Sequence, residues 1–189
     1  AQMAPSGCNF QPWEATVLTG EPLRALQAKL IAAEPQQPAE YAVIPAGIPQ
    51  DYMDRLGLIT ARRLEKEGIA REDVAARAAS NARNWIGFGA PVLLLCYLPR
   101  VMGPPQWSDV GMWLQTVMLL LREEGLDSCA QESLAAHGRL IKQHIGVSDE
   151  SHIFFCGMAI GYRDDAAPIN HYERSRADLD DVVRFQGFE

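Results

Sequence analysis

Residues 89–99, GAPVLLLCYLP, contain the longest apolar run of the chain, bounded by Gly and Pro. A short run that is apolar on both faces is typical of a strand in the middle of a sheet. HIFFCGMAIGY at residues 152–162 has the same character. The two runs predict the centre of a β-sheet, and both are too short to span a membrane.

Helices are predicted around these strands. Leucines recur at helical spacing after a short predicted strand, WEATVLTG, at residues 13–20. Asp51 is a candidate N-cap and Gly68 a candidate helix stop. The expected helices cover residues 21–34, 51–67, 70–85, 106–125 and 132–146. Because strands and helices do not alternate regularly, we predict an α+β fold, with residues 1–189 forming a single domain.

Composition excludes several classes of protein. The chain has 189 residues, 48% of them hydrophobic, and a net charge of −7. This acidic balance argues against a nucleic-acid partner, which requires a basic face. The four cysteines are far apart and form no CxxC pair, and no signal peptide opens the sequence. We therefore expect reduced thiols and a cytoplasmic protein without membrane partners.

Motifs for side-chain catalysis are absent from the sequence. There is no HExxH, GxSxG or P-loop motif, and the four histidines have no metal-binding spacing with the cysteines or acids. GFGAPV, which starts at Gly87, precedes a predicted strand instead of following one, so it fails the dinucleotide fingerprint. If the protein is an enzyme, a bound cofactor is expected to carry the reaction.

The segment PSGCN, residues 5–9, is rich in residues typical of tight turns. Gly7 permits unusual backbone angles, and Ser6 and Asn9 have short polar side chains that can bond the local backbone or a ligand. Taken alone, the pattern favours an ordinary turn entering a strand, with a binding loop as the alternative.

GLDSCAQESL, residues 125–134, links two predicted helices. Ser128 and Gln131 have the spacing of a capping box, which predicts a helix N-terminus here. Free backbone N–H groups at such a terminus can also donate to a ligand.

Arg174 and Arg176 stand close together in HYERSRADL, residues 171–179, within an acidic chain. Two neighbouring guanidinium groups can bind a phosphate through forked hydrogen bonds. Surface pairing with Glu173, Asp178 or Asp180 is the alternative, and taken alone the pattern favours it.

Three stretches together resemble the FMN-dependent nitroreductase family. They are APSGCNFQPW at residues 4–13, DVGMWLQTVMLLLREEGLDSCAQESL at residues 109–134 and FFCGMAIGYRDDAAPINHYERSRADLDDVV at residues 154–183. Their order and approximate spacing are those of the family, and the resemblance covers nearly the whole chain. The tail VVRFQGF is similar to that of some bacterial members. The RRSxRxF-like segment that usually precedes these motifs has no counterpart here, so we expect it to be missing.

The resemblance implies a central, mainly antiparallel sheet flanked by helices, in an intertwined homodimer that holds the flavin at its interface. The C-terminal segment would cross to the partner and thereby cover the apolar tail. The apolar helix at residues 110–121 would pack on its symmetry mate.

The resemblance also implies three groups of cofactor contacts: a loop from the partner subunit, a segment along the isoalloxazine ring, and two arginines at the FMN phosphate. In that order they are Pro5, Ser6, Gly7 and Asn9; Ala130, Gln131, Glu132 and Ser133; and Arg174 and Arg176. The backbone N–H of Glu132 would point at the flavin N5 and tune the cofactor. Asn81 and Arg83 would add polar contacts.

The implied activity is that of a flavin oxidoreductase in which NAD(P)H is the hydride donor. A nitroaromatic or quinone would then take the place of the nicotinamide, which predicts ping-pong kinetics. No nucleophilic side chain and no metal are required. Phe10, Trp107 and Trp113 are candidates for stacking on a planar aromatic substrate, although for each of them the favoured interpretation is a core residue. The alternatives are a non-catalytic flavin-binding or dimeric interaction protein, and a different flavin reaction on the same fold.

Overall fold

A computed structural model of the protein describes residues 1–188. The chain divides into two compact units. The first comprises Ala1–Pro45 and Ala78–Arg163, and the second comprises Ala46–Arg77 and the residues from Asp164 onward. That residues 1–189 form a single domain stays a prediction.

The first unit is built on a four-stranded sheet. Its strands are β1 (Glu14–Thr19), β2 (Val92–Pro99), β3 (Asp127–Gln131) and β4 (His152–Gly161). The spatial order is β1-β2-β4-β3, and every neighbouring pair is antiparallel. The predicted α+β class with an antiparallel sheet is confirmed, and the two most apolar stretches are its central strands.

The α-helices lie between and after the strands. They are α1 (Gly20–Ala32), α2 (Gln50–Glu67), α3 (Val74–Ala82), α4 (Pro104–Glu123), α5 (Gly138–Ile145) and α6 (Leu179–Val182). Short 3₁₀ segments cover Gly7–Asn9, Arg83–Gly89, Glu132–His137 and Pro168–Asn170. Within residues 1–188, none of the helices is both long and apolar enough to cross a bilayer.

Both faces of the sheet are covered, which explains why β2 is apolar at every position. Alternate side chains of a strand point to opposite faces. Leu94, Cys96 and Leu98 pack in one core cluster with side chains of α4, such as Trp113. Leu93 and Leu95 pack in a second cluster with side chains of α1 and α5.

Helix α2 begins and ends close to the predicted residues. Gly68 ends it in the left-handed conformation, with φ of 68°, as expected for a glycine stop. Asp51 is not the N-cap, because the helix begins at Gln50 with Pro49 before it. Asp51 lies in the first turn, where its carboxylate complements the positive end of the helix dipole.

The helix predicted at residues 70–85 is shorter than expected. Helix α3 stops at Ala82, and a 3₁₀ segment replaces its last turn. Gly87 and Phe88 both have positive φ, at 57° and 55°, which no α-helix contains.

The capping box predicted at Ser128 and Gln131 is wrong. Both residues belong to β3, where Ser128 pairs with Ile160 and Gln131 with Gly157. The backbone of this segment is satisfied by β4, so tertiary pairing overrides the local capping signal. The predicted helix at residues 132–146 begins as a 3₁₀ turn and becomes α-helical only at Gly138.

A cluster of charged side chains around Lys142 links the Pro-rich segment 33–49, between α1 and α2, to the sheet. Lys142 is fully buried and pairs with Glu40, while its Nζ lies 2.5 Å from Asp149 Oδ1. The second oxygen of Glu40 accepts the backbone N–H of Phe154 at 2.8 Å. Arg100 joins the same carboxylate at 3.1 Å.

Candidate cofactor site

The loop at residues 5–11 has a strained backbone. Cys8, Asn9 and Gln11 have φ values of 52°, 58° and 48°, although none of them is glycine. The left-handed conformation costs an L-residue on the order of 1 kcal/mol. The unusual angles expected at Gly7 therefore belong to its neighbours, since Gly7 itself has no positive φ.

The strained loop is fixed by hydrogen bonds at both ends. Ser6 Oγ accepts the Gln11 N–H at 3.0 Å and so closes the turn. The Gly7 N–H donates to both carboxylate oxygens of Asp109 on α4, each at 3.2 Å. Just after the loop, Trp13 stacks on Trp113 of the same helix with ring centroids 6.0 Å apart. The sequence pattern identified the loop but not Asp109, its partner on α4.

A polar network joins β3 and the following 3₁₀ turn to residues 83–89. Gln131 is buried, and its Nε2 donates to the backbone oxygen and the Oδ1 of Asn84 at 3.1 and 3.2 Å. Ser133 Oγ donates to the same Oδ1 at 2.8 Å. Asn84 thus fixes the side chains of Gln131 and Ser133, two of the predicted flavin contacts. It is not among the predicted residues, because its only signal is a position beside Arg83.

The residues of this segment fit a flavin ring. Gln131 Oε1 is buried without a hydrogen-bond donor among residues 1–188. Gly87 lies next to that oxygen, since a Cβ at Gly87 would be 4.0 Å from it, an ordinary contact distance. Cys129, Ala130 and Glu132 are exposed. A buried acceptor beside an exposed strand end suits a planar group that carries donors and acceptors along one edge, as an isoalloxazine does.

Arg174 and Arg176 lie in the second unit and are exposed. Arg176 Nη1 donates to the backbone oxygens of Arg174 and Ser175, and the Arg174 guanidinium lies 5.8 Å from the Tyr172 ring centroid. Glu173 is paired instead with Arg62, at 3.8 Å. Neither Arg174 nor Arg176 forms an ion pair with a carboxylate of residues 1–188, so surface pairing, the alternative, is not formed. Their guanidinium donors fit a phosphate.

Two of the three candidate stacking aromatics belong to the core. Trp113 is buried, and Trp107 packs edge-on against Tyr41 and Phe155. Phe10 remains, with 58% of its surface exposed. Phe88 is also exposed and was not predicted, because nothing in the sequence indicates its positive φ.

The buried titratable groups are not prepared for acid–base catalysis. Burial raises the pKa of the Cys156 thiol to about 12 and raises the pKa of Tyr41 well above its usual value. Burial lowers the pKa of His137, whose ring packs edge-on against Trp85. Cys156, Tyr41 and His137 are therefore neutral near neutral pH, and none of the three has its pKa shifted toward the value that general acid–base catalysis favours.

Proteins of known structure share this fold. The sequence model of the Nitroreductase family matches residues 1–162. The chain therefore belongs to the nitroreductase family.

Three relatives are similar over almost the whole chain. A 4-nitrobenzoate reductase from Pseudomonas putida is 36% identical over 190 residues, which cover 100% of this chain and 83% of the relative. The crystal structure of an FMN and NADPH-dependent nitroreductase, NfnB from Sphingopyxis sp. strain HMH, is 44% identical with a TM-score of 0.93 and covers 99% of this chain and 85% of that one. The FMN-dependent NfnB from Mycobacterium smegmatis, in complex with NADPH, is 25% identical with a TM-score of 0.92, covering 98% and 83%.

Proposed function

We propose that the protein is an FMN-dependent oxidoreductase that uses NAD(P)H to reduce nitroaromatic or quinone-type compounds. The observation that carries this proposal is the family membership, with relatives of this activity similar over nearly the full chain. The non-catalytic alternative has no support among these relatives.

FMN supplies the chemistry, because it accepts a hydride from a nicotinamide and passes electrons to a planar acceptor. The net reaction of the first reduction takes NAD(P)H, one proton and a nitro compound to NAD(P)⁺, water and a nitroso compound. The protein has to bind the ring, orient it and leave one face open to both substrates. Ping-pong kinetics are therefore expected.

Three groups of residues are proposed to hold the cofactor. Pro5, Ser6, Gly7 and Asn9 form a loop that would contact the flavin from the partner subunit. Ala130, Gln131, Glu132 and Ser133 would lie along the ring, and Arg174 and Arg176 would bind the phosphate. Two observations on residues 1–188 support these roles: the Gln131 oxygen has no donor there, and the two arginines have no carboxylate partner there.

The homodimer is also part of the proposal. Leu119 and Leu120 on α4 and Phe185 and Phe188 in the tail are exposed. Large exposed apolar side chains of this kind mark surfaces that a partner covers. We further propose that residues 1–189 act as one nitroreductase-like domain and that the protein is cytoplasmic, in keeping with its four free cysteines.

The first test is an absorbance spectrum of the purified protein between about 300 and 550 nm, the range in which flavins absorb, repeated after NADPH or NADH is added without oxygen. We expect flavin bands that bleach with a pyridine nucleotide and return when 4-nitrobenzoate is added. Heat-released cofactor should separate as FMN and not as FAD. A protein that stays colourless after incubation with FMN would overturn the proposal.

A further inference from the structure

Asp109 has a buried carboxylate whose hydrogen bonds go to a single loop. It lies on α4, and only 4% of its surface is exposed. Among residues 1–188, its hydrogen-bond donor is the backbone N–H of Gly7, which contacts both of its oxygens at 3.2 Å. A buried carboxylate is costly unless it is hydrogen-bonded, so one N–H makes Asp109 a weak contributor to stability. Because both carboxylate oxygens contact the same N–H, these hydrogen bonds form only when Gly7 lies in this position.

The loop that Asp109 contacts needs such an anchor. The left-handed residues Cys8, Asn9 and Gln11 are strained, and strain of this kind persists only where surrounding structure holds it. The other hydrogen bonds of residues 5–11 are local, such as Gln11 N–H to Ser6 Oγ. Within the described chain, the bond to Asp109 is the one that links this loop to a distant element.

We propose that Asp109 is a positioning residue that holds the loop Pro5–Asn9 in its cofactor-binding conformation before FMN arrives. The inference rests on the proposed function, since it takes this loop as an FMN contact. Asp109 acts through Gly7 and needs no contact with the cofactor. A loop ordered in advance loses less conformational entropy on binding, so removing the anchor weakens FMN affinity.

The first experiment titrates FMN into cofactor-free protein and follows the quenching of flavin fluorescence. Asp109→Ala removes the acceptor and should weaken FMN affinity by about tenfold or more, the range for a hydrogen bond to a charged group. Asp109→Asn keeps an oxygen that accepts the Gly7 N–H and should stay within about threefold of the wild type. Val110→Ala, a core change one residue away on the same helix, should lower the melting temperature without changing FMN affinity.

A second variant removes the same bond from the other side. Gly7→Pro deletes the N–H at the first position of a 3₁₀ turn, where the proline φ is tolerated, and its ring Cδ takes the place of the hydrogen that points at the Asp109 carboxylate. Ser6 before it is already extended, with φ of −146° and ψ of 148°, as a residue preceding proline prefers. Because Gly7→Pro removes the bond and crowds the carboxylate, Asp109→Ala should weaken FMN binding far less in the Gly7→Pro background than in the wild type, whereas equal losses in the two backgrounds would show that no Gly7–Asp109 bond positions the loop.

Hydrogen exchange provides a readout without cofactor. In cofactor-free wild-type protein the Gly7 amide should be protected, and Asp109→Ala should speed its exchange by about tenfold or more, whereas Val110→Ala should not. Unchanged protection together with unchanged FMN affinity overturns the inference, as does an equal loss of affinity in Val110→Ala. If the wild type protects Gly7 but binds no FMN, the anchor exists but the proposed function fails, and the positioning role fails with it.

Discussion

A phosphate requires hydrogen-bond donors that are not already committed to carboxylates. The guanidinium of Arg62, for example, is already occupied, because it pairs with Glu173 and donates to Ser175 Oγ at 3.0 Å. Within residues 1–188, Arg174 and Arg176 contact an aromatic ring and backbone oxygens and no carboxylate. The sequence shows that the two arginines are close together in an acidic chain. That neither of them pairs with a carboxylate of residues 1–188 depends on tertiary contacts, which the sequence does not show.

Riboflavin, which lacks the phosphate, separates a phosphate contact from a ring contact. Arg176→Ala should weaken FMN affinity by about tenfold or more, the range for a charge-assisted hydrogen bond, and should leave riboflavin affinity unchanged. Arg174→Ala should act in the same direction. Fluorescence titrations with both flavins measure this. Arg24→Ala, which breaks only an exposed pair with Glu21, is the control. An equal loss with riboflavin would show that the arginines do not bind phosphate.

The buried cluster around Lys142 gives a pH-dependent contribution to stability. A hydrogen bond from Lys142 is the largest cause that lowers the pKa of Asp149 below its ordinary value of 3.8, and Arg100 adds to the effect. A lowered pKa in the folded state stabilises the fold above the ordinary value, and this stabilisation is lost as the pH falls through the lowered value.

Asp149→Asn should therefore lower the free energy of unfolding near neutral pH and have a shrinking effect below pH 3.8. Because half of the Asp149 side chain is exposed, the difference near neutral pH should stay below about 1 kcal/mol. Urea unfolding of both proteins across the acid range measures it. A difference that is the same at every pH would contradict the assignment.

At the scale of elements, strong periodic patterns and the glycine stop of α2 predicted well, whereas the capping box at Ser128 and Gln131 did not. The strands β1, β2 and β4 and the helices α1, α2 and α4 lie close to their predicted residues, because each carries an apolar face that only one type of element can bury. The segment 127–131 is short and mostly polar, and it forms a strand because it pairs with β4. Such a segment depends on a partner more than 25 residues away in sequence, which no local pattern encodes.

Gly157 connects this strand pair to the segment proposed to bind the flavin ring. It pairs with Gln131, and a Cβ at Gly157 would lie 2.3 Å from the Cδ1 of Leu134. Leu134 is fully buried in the 3₁₀ turn Glu132–His137, so its side chain would have to change rotamer inside a packed core or shift the turn. Gly157→Ala should thus lower the free energy of unfolding by about 1–3 kcal/mol and weaken FMN affinity as well.

Chemical unfolding and FMN titration measure the two effects. Gly57→Ala is the matched control, because a Cβ added to this α2 glycine would have no other atom within 4 Å. That change should stabilise the helix by about 0.5–1 kcal/mol. Leu134→Val should restore part of the loss in Gly157→Ala, since the shorter side chain relieves the overlap. A Gly157→Ala protein as stable as the wild type would show that the contact is not tight.

At the scale of the whole molecule, the sequence predicted the layers of the first unit but not the details of its cofactor site. Two apolar runs and an apolar helix were enough to place a sheet with covered faces. The candidate site depends on pairs such as Gly7 with Asp109, which are 102 residues apart in sequence, and Gln131 with Asn84. Only the resemblance to a family brought its segments together, because spacing in one sequence does not specify which loops meet.

The exposed apolar side chains of α4 and of the C-terminal tail allow the proposed homodimer to be tested. Leu119 is 62% exposed on α4, and Phe185 is 58% exposed in the tail. If these side chains are buried between subunits, Leu119→Glu or Phe185→Glu places an unpaired charge in the interface, which is strongly unfavourable. Each variant should raise the dimer dissociation constant by at least about tenfold, since roughly 1.4 kcal/mol corresponds to that factor.

Sedimentation velocity over a dilution series measures the dissociation. Val101→Glu, which places the same charge on a residue 87% exposed in the loop before α4, should sediment like the wild type. Because the proposed loop contacts to FMN come from the partner subunit, bound FMN should fall in step with the dimer fraction when either interface variant is diluted. Loss of the dimer with FMN fully retained would show that one subunit holds the cofactor alone, and interface variants that stay dimeric would show that α4 and the tail are not where the subunits meet.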